Sequence, residues 1–394
     1  MVFFSSFEGD GYKAPRLRMY VHDLIRKNFN LNFYGLPPSA NVNYWPSGAL
    51  RATHDRVAAK SSNVFRKISE PLGFSSFGRY VAVRVLCFRA RRADILSDVD
   101  VLFTQPYMYP LVKIAKKRGV TVVLESDSDY PLFMWRQLIE RHRANNLRFH
   151  ERDPWNFWPY VKLALKSIEL ADKIVVFGEH AYMTYLDAGV PAEKLHLGFP
   201  SPAETCTLAT QTAELPEFVW SGNHGVRKGI DLVEQAWTSY KASGGKGILH
   251  LCGKQSPSQK AIRRRLSLLP DVIDHGSINL IEFFSQKRRV LLSPSFSEGL
   301  PRSVTEAMAS GSPVIGSFPG TGGLVEEGKN GWLIDLTADG LLSGLEKAER
   351  NWHEITDMGG HAAFLISEKT DGYSETVSGL ISDFATHPSA ESSK

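Results

Sequence analysis

Short apolar runs of strand length alternate with segments of helical periodicity along almost the whole chain, and this rhythm constrains the fold more than any single motif. VDVLFT (99–104), TVVLE (121–125), KIVVFG (173–178), FVWSG (218–222), GILHLCG (247–253), RVLLSPS (289–295) and PVIGS (313–317) are each one strand long and nearly continuous in apolar residues. Strands buried on both faces belong to parallel sheets, which need a crossover helix between consecutive strands. KGIDLVEQAWTSYKAS (228–243) and SVTEAMASG (303–311) lie between such runs and have the helical spacing of a crossover. The rhythm breaks at PSPAETCTLATQTAEL (200–215), which is rich in Pro, Thr and Ala, and then begins afresh. The expected fold class is therefore α/β, with two doubly wound units joined by that linker.

Length and composition agree with two units. At 394 residues the chain exceeds one compact domain of about 100–200 residues. The expected division is 1–200, 203–365, and a last segment, 366–394, that carries a helix at YSETVSGLISDFA. Within the first unit, a strand is expected at 1–7, a helix over 15–28, and an irregular stretch over 36–78 with a helical insert near 50–68. Hydrophobic residues make up 43%, which excludes disordered and fibrous classes. Cys87, Cys206 and Cys252 are widely spaced and form neither a disulfide framework nor a CxxC knuckle, which suits a reducing compartment. MVFFSSFEGD shows no secretory signal, and no apolar run approaches the ~20 residues that span a bilayer. Charge is divided unevenly: 28 Lys+Arg face 19 Asp+Glu over residues 1–200 (+9), and 18 face 23 over 201–394 (−5).

Ligands of open parallel sheets bind beyond the carboxyl ends of the strands. The most informative such end is SPSFSEGLPRSVTEAMASGSPVIGS (293–317), where a strand leads into the tight loop Ser297-Glu298-Gly299-Leu300-Pro301 and then a helix. Gly299 lets the backbone approach a ligand, the helix start favours an anion, and Glu306 in the first turns can accept from a vicinal diol. The same residues also fit a plain capping box, Ser303-Val304-Thr305-Glu306, and on spacing alone both readings stand.

SEGLPRSVTEAMASGSPVI resembles the Glu-x7-Glu segment of the retaining glycosyltransferases of family 4 (glycosyl transferases group 1), which have the GT-B fold of two Rossmann-like domains facing a central cleft. FVWSGNHGVRKGIDLVEQAW is similar to that family's strand, glycine loop and Lys-Gly pair, here Gly222 followed by Lys228-Gly229. ADKIVVFGEHAYMTYLDAGVPAEKLHLGF and GLVEEGKNGWLI resemble two further family segments, so the likeness is dense over 170–335 and looser over 1–130. The resemblance implies a hexosyltransferase-type enzyme that uses a nucleotide-sugar donor, a UDP- or GDP-sugar, with no cofactor or metal. It assigns Glu306 to the nucleotide ribose, Glu298 to the sugar hydroxyls, the Gly299-Leu300-Pro301 backbone to the sugar diphosphate, and Lys228 to the departing diphosphate. It also implies that the last helix crosses back onto the first domain.

The family places Arg after the glycine of the Lys-Gly loop, where this chain has Asn223; Arg227 is then the expected second cation. A second departure is read at Gly323, where an acidic residue is expected. In the acceptor-binding first domain, LESDSDYP places Asp127 where many relatives have a histidine near the reacting carbon, and a solvated acidic turn is the competing reading. Gly9 and Gly11 form a candidate diphosphate loop, or an ordinary turn. The segment 131–160 interleaves arginines with Trp and Phe, which points either to an anionic membrane surface or to aromatics in a core. The implied acceptor is a glycan or a lipid-linked sugar of polysaccharide or glycoconjugate synthesis, with no nucleic acid partner and a cytoplasmic location that extends to the inner face of a membrane. An inverting or hydrolytic GT-B enzyme, or a catalytically weakened sugar-nucleotide-binding scaffold subunit, remains the alternative.

Overall fold

The computed structural model describes residues 2–6, 24, 26–27, 30–35, 50–54, 75–92, 94–146, 153–200, 202, 206–223, 225–255 and 257–386. The first half supplies β1 (Val2–Ser6), β2 (Leu31–Gly35), β3 (Leu50–His54), α1 (Ser75–Arg92), β4 (Val101–Thr104), α2 (Tyr109–Lys117), β5 (Thr121–Ser126), α3 (Pro131–Ala144), α4 (Asp153–Leu170), β6 (Lys173–Phe177), α5 (Glu179–Asp187) and β7 (Leu195–Gly198). These strands form a seven-stranded parallel sheet of order β3-β2-β1-β4-β5-β6-β7.

Alternation along the strands divides the first core into two layers, as a period of two residues requires. Leu102, Val122, Leu124, Ile174 and Val176 face a cluster completed by Val83 and Leu86 of α1, Leu111 and Val112 of α2, and Ile168 of α4. Val101, Phe103, Val123, Val175 and Phe177 point the other way, onto Tyr373, Val377 and Ile381. Those last three residues stand four apart, one face of a helix that comes from the far end of the chain.

The second half supplies β8 (Glu217–Ser221), α6 (Ile230–Ala242), β9 (Ile248–Cys252), α7 (Pro257–Leu266), β10 (Val272–Gly276), α8 (Leu280–Gln286), β11 (Val290–Ser293), α9 (Arg302–Ala309), β12 (Val314–Gly316), α10 (Phe318–Thr321), β13 (Gly331–Leu333), α11 (Ala338–Arg350), α12 (Ile355–Thr370) and α13 (Tyr373–Thr386). Its sheet is six-stranded and parallel, of order β10-β9-β8-β11-β12-β13. Here too one strand face, Phe218, Trp220, Leu249, Leu251 and Leu292, packs against α6 and α11, and the other, Val219, Leu291 and Val314, against α9 and α12. α13 then leaves this unit and covers the first sheet.

Two expectations in the first half need correction. Leu50–His54 is not part of a helix but an edge strand, paired residue by residue with β2 from Leu31↔Leu50 to Gly35↔His54. Sheet pairing overrides local preference there, because an edge strand gains its hydrogen bonds from a neighbour distant in sequence. A long helix, α1, also begins at Ser75, inside the stretch expected to be irregular. Gly9, Gly11 and most of the 15–28 helix lie outside the described residues.

Candidate active site

In the second sheet the strand order reverses between β8 and β11, and a crevice opens beyond their carboxyl ends at such a reversal. Gly222 and Asn223 follow β8, and the loop 294–301 follows β11. Gly229 caps α6 in the left-handed region, φ 70°, and a Cβ there would stand 2.1 Å from the Pro294 carbonyl oxygen. Only glycine permits both the turn and that approach. Phe296 N donates to Arg227 O at 3.0 Å, which ties the two loops together, and Trp220 Nε1 donates to Lys228 O at 3.1 Å, which pins the first loop to β8.

The consequence is a compact charge cluster. Glu298 Oε1 lies 2.7 Å from Lys228 Nζ and 2.8 Å from Arg227 Nη1. The three side chains are only 11–17% exposed, so water screens them weakly. Burial lowers the pKa of Lys228, with Glu298 acting against the fall and Arg227 adding to it. Arg227 thus takes the place beside Lys228 that the sequence left open. Asn223 does not: it is exposed, and its Oδ1 accepts from Lys254 N at 2.9 Å.

Glu306 is buried on α9, where its Oε1 accepts from Arg302 Nε one turn earlier. The residue at the α9 N-cap is Pro301, and no side chain caps that end, so the capping box proposed for Ser303 and Glu306 does not form. Leu300 is partly buried against both the Val101/Phe103 layer and the Val304/Met308 layer, bridging the two units.

The first unit meets this loop at the end of β5. A Cβ on Gly299 would stand 2.4 Å from Asp127 O and 2.8 Å from Ser128 N, so this glycine is required by close contact. Asp127 is half-buried beside it. The carboxylate that the fold buries completely is Asp129, which the sequence reading passed over. Its Oδ1 lies 3.0 Å from His180 Nδ1, while Asp129 Oδ2 and Ser297 Oγ are both buried without a hydrogen-bond partner of acceptable geometry among the described residues. Burial raises the Asp129 pKa, His180 and Ser297 oppose the rise, and Glu298 adds to it. His180 itself sits edge-on between Phe133 and Phe318, with ring centroids 5.5 and 5.7 Å away. Within ESDSDYP nothing separates Asp127 from Asp129; the difference comes from α5 and the 297 loop, which are remote in sequence.

The 131–160 segment folds as α3 and α4, leaving 147–152 undescribed, and its aromatics pair with one another. Trp135 and Trp158 are 4.5 Å apart, and Phe157 stacks on Tyr160 at 5.9 Å. Arg141 is not directed at a membrane. It pairs with Asp231 at the start of α6, and its guanidinium lies 3.8 Å from the centre of the Phe296 ring. Asn145 Nδ2 donates to the same carboxylate at 3.0 Å.

The departure read at Gly323 also disappears. Gly322 and Gly323 both lie in the left-handed region, at φ 64° and 83°, and Glu326 follows at Gly-Gly-x-x-Glu spacing.

Residues 216–349 match the family model described as glycosyl transferases group 1. Solved structures similar over nearly the whole chain include the sucrose-phosphate synthase of Thermosynechococcus elongatus (TM-score 0.68, 17% identity, 98% of each chain). They also include Anabaena HepE in complex with UDP and glucose (0.62, 13% identity, 98% of this chain and 99% of that one). A third is WaaG, a glycosyltransferase involved in lipopolysaccharide biosynthesis (0.64, 14% identity, 97% and 99%). No curated protein sequence is significantly similar. The fold is that of the GT-B glycosyltransferases. The group 1 match covers residues 216–349, so it is the second unit that is similar in sequence to the group 1 glycosyl transferases.

Proposed function

We propose that the protein transfers a sugar from a UDP- or GDP-sugar to a glycan or lipid-linked acceptor with retention of configuration. The observation that carries this reading is the pairing of Lys228 and Arg227 on one carboxylate, Glu298, at the strand-order reversal of the second sheet. A nucleoside diphosphate is a stronger counter-ion than a single carboxylate, so its arrival draws both cations towards its own oxygens and frees Glu298 for the sugar hydroxyls. As the glycosidic bond breaks, charge builds on the diphosphate, and Lys228 and Arg227 stabilise it. In this reading these cations do the work that a metal does elsewhere, and no cofactor takes part. Glu306 holds the ribose diol.

Retention follows if a donor phosphate oxygen takes the acceptor proton on the face that the leaving group vacates, a step that needs no protein base. Asp127, half-buried at the edge of the first unit, then orients the acceptor hydroxyl, and Asp129, buried behind it, holds His180. Arg227 beside Lys228 argues against the weakened-scaffold alternative, because the charge missing at Asn223 is restored. UDP is the first nucleotide to test, since HepE is seen with UDP and with UDP-glucose.

Calorimetry with UDP and GDP, followed by nucleoside diphosphate release from their sugars with and without acceptor glycans, tests the proposal. One nucleotide should bind, and acceptor should speed its release. If neither binds, the transferase reading fails; an inverted anomeric product seen by NMR removes retention alone.

A further inference from the structure

Outside the donor cleft, α1 and α2 lie side by side on the first sheet and enclose a groove of about 530 Å³. Each helix turns Val83, Leu86 and Ala90, or Leu111, Val112 and Ala115, into the core. The opposite stripes, Arg84, Phe88 and Arg91 on α1 and Lys113, Ile114 and Lys117 on α2, line the groove at spacings of three, four and seven. Among the described residues, no carboxylate lines it. Arg118 at its end is paired with Asp94 at 2.5 Å, but Arg84, Arg91, Lys113 and Lys117 make no ion pair among the described residues. Phe88 is 59% exposed in their midst, with the Arg92 guanidinium 5.5 Å from its ring centre.

We propose that this groove is a docking site for anionic phospholipid headgroups and holds the first unit against a membrane surface. Four unpaired cations without an acid select phosphate, and charge complementarity alone would serve a soluble anion equally well. The exposed phenyl ring and Ile114 between the cations select an occupant with an apolar boundary, which a bilayer interface supplies and a free phosphate does not. Among the described residues no helix is long and apolar enough to cross a membrane, so attachment here is to the surface. The groove accounts for part of the +9 charge of residues 1–200, whereas Arg141 of the 131–160 segment is engaged inside the protein. The site lies on a different unit from the donor loops, and its test is independent of the transferase reading.

The experiment is co-sedimentation of the full chain with vesicles of phosphatidylcholine alone and with added phosphatidylglycerol. The protein should follow only the anionic vesicles, and less so as salt rises. Arg84→Ala and Lys113→Ala should each weaken binding about fivefold, and Phe88→Ser should weaken it further, while Arg136→Ala and Arg143→Ala leave it unchanged. All five positions are exposed or open to solvent, and unchanged melting and UDP binding would show that the variants are folded. Failure to sediment overturns the proposal, as does sedimentation insensitive to the groove variants. So does competition by inorganic phosphate with Phe88→Ser silent, which would mark a soluble-anion site, or preferential capture of a single-stranded oligonucleotide lost in the same variants.

Discussion

Arg141→Ala should separate the two units more than any change within either core. Arg141 reaches from α3 to Asp231 on α6, and the two side chains are 16% and 6% exposed. At that burial the attraction is on the order of 4 kcal/mol for charges about 4 Å apart at an effective dielectric near 20. Removing one partner of such a pair costs about 3–5 kcal/mol, because the other charge stays buried without compensation. The guanidinium over Phe296 adds roughly 0.5–2 kcal/mol. A loss of 3–5 kcal/mol corresponds to a melting shift of roughly 6–20 °C for a chain of this class, in the transition that breaks the contact between units.

A double-mutant cycle with Asp231→Ala, read by thermal and urea unfolding, isolates the pair. The coupling should reach about 2 kcal/mol. Because Phe296 and Asp231 flank the loops carrying Glu298 and Lys228, donor nucleotide affinity should fall with stability. An Arg141→Ala protein that melts within a degree of the unaltered one, with additive Asp231→Ala, would refute the reasoning.

Other predictions follow from the same geometry. Glu306→Ala should leave stability nearly unchanged, since no helix cap is lost and Arg302 is 43% exposed, yet weaken UDP or GDP binding by about tenfold or more in calorimetry. Lys228→Ala should depress kcat more than donor affinity, through lost stabilisation of the leaving diphosphate; an effect on KM alone would deny it that part. Gly299→Ala forces a Cβ against Asp127 O, so the cleft must part, and small-angle scattering should show a larger radius of gyration. In acid, two windows open. Burial lowers the His275 and His196 pKa values, so their contribution to stability is full above the unfolded value near 6.5 and declines as pH falls below it. Glu217, which burial would raise but hydrogen bonds from His250 and Arg289 bring down to about 2, loses its contribution between roughly pH 4.5 and 2. Urea titrations across pH 8 to 3 should therefore show stability decreasing in both ranges, and a flat profile from 7 to 5 would contradict the histidine part.

Much of the candidate site was legible because it is local. Gly222, Lys228-Gly229 and Glu298 through Glu306 sit in two short loops, each at the end of an apolar strand run that the sequence displays, and a parallel sheet brings such ends together. The side of the cleft formed by the first unit was less legible. Asp127 and Asp129 differ by two positions in one acidic turn, and only His180, some fifty residues later, and the 297 loop bury one of them. β3 was misread for a related reason: its identity lies in the backbone bonds it makes to β2, which five residues of sequence do not reveal.

By itself, then, the sequence determined the α/β class, the two sheets and the loops at their strand ends, because periodicity records which faces of each element must leave water. Tertiary structure decided what the charged residues do. Arg141 looked like a lipid-facing cation within an aromatic-rich segment, and it became one tie between the units through a carboxylate ninety residues away. Arg84 and Lys113 attracted no notice in sequence, and two helices laid side by side turned them into walls of one groove. A charge is costly to bury and free to remain in water, so its role depends on which partner the packed chain brings within reach, and that partner is almost never its neighbour in sequence.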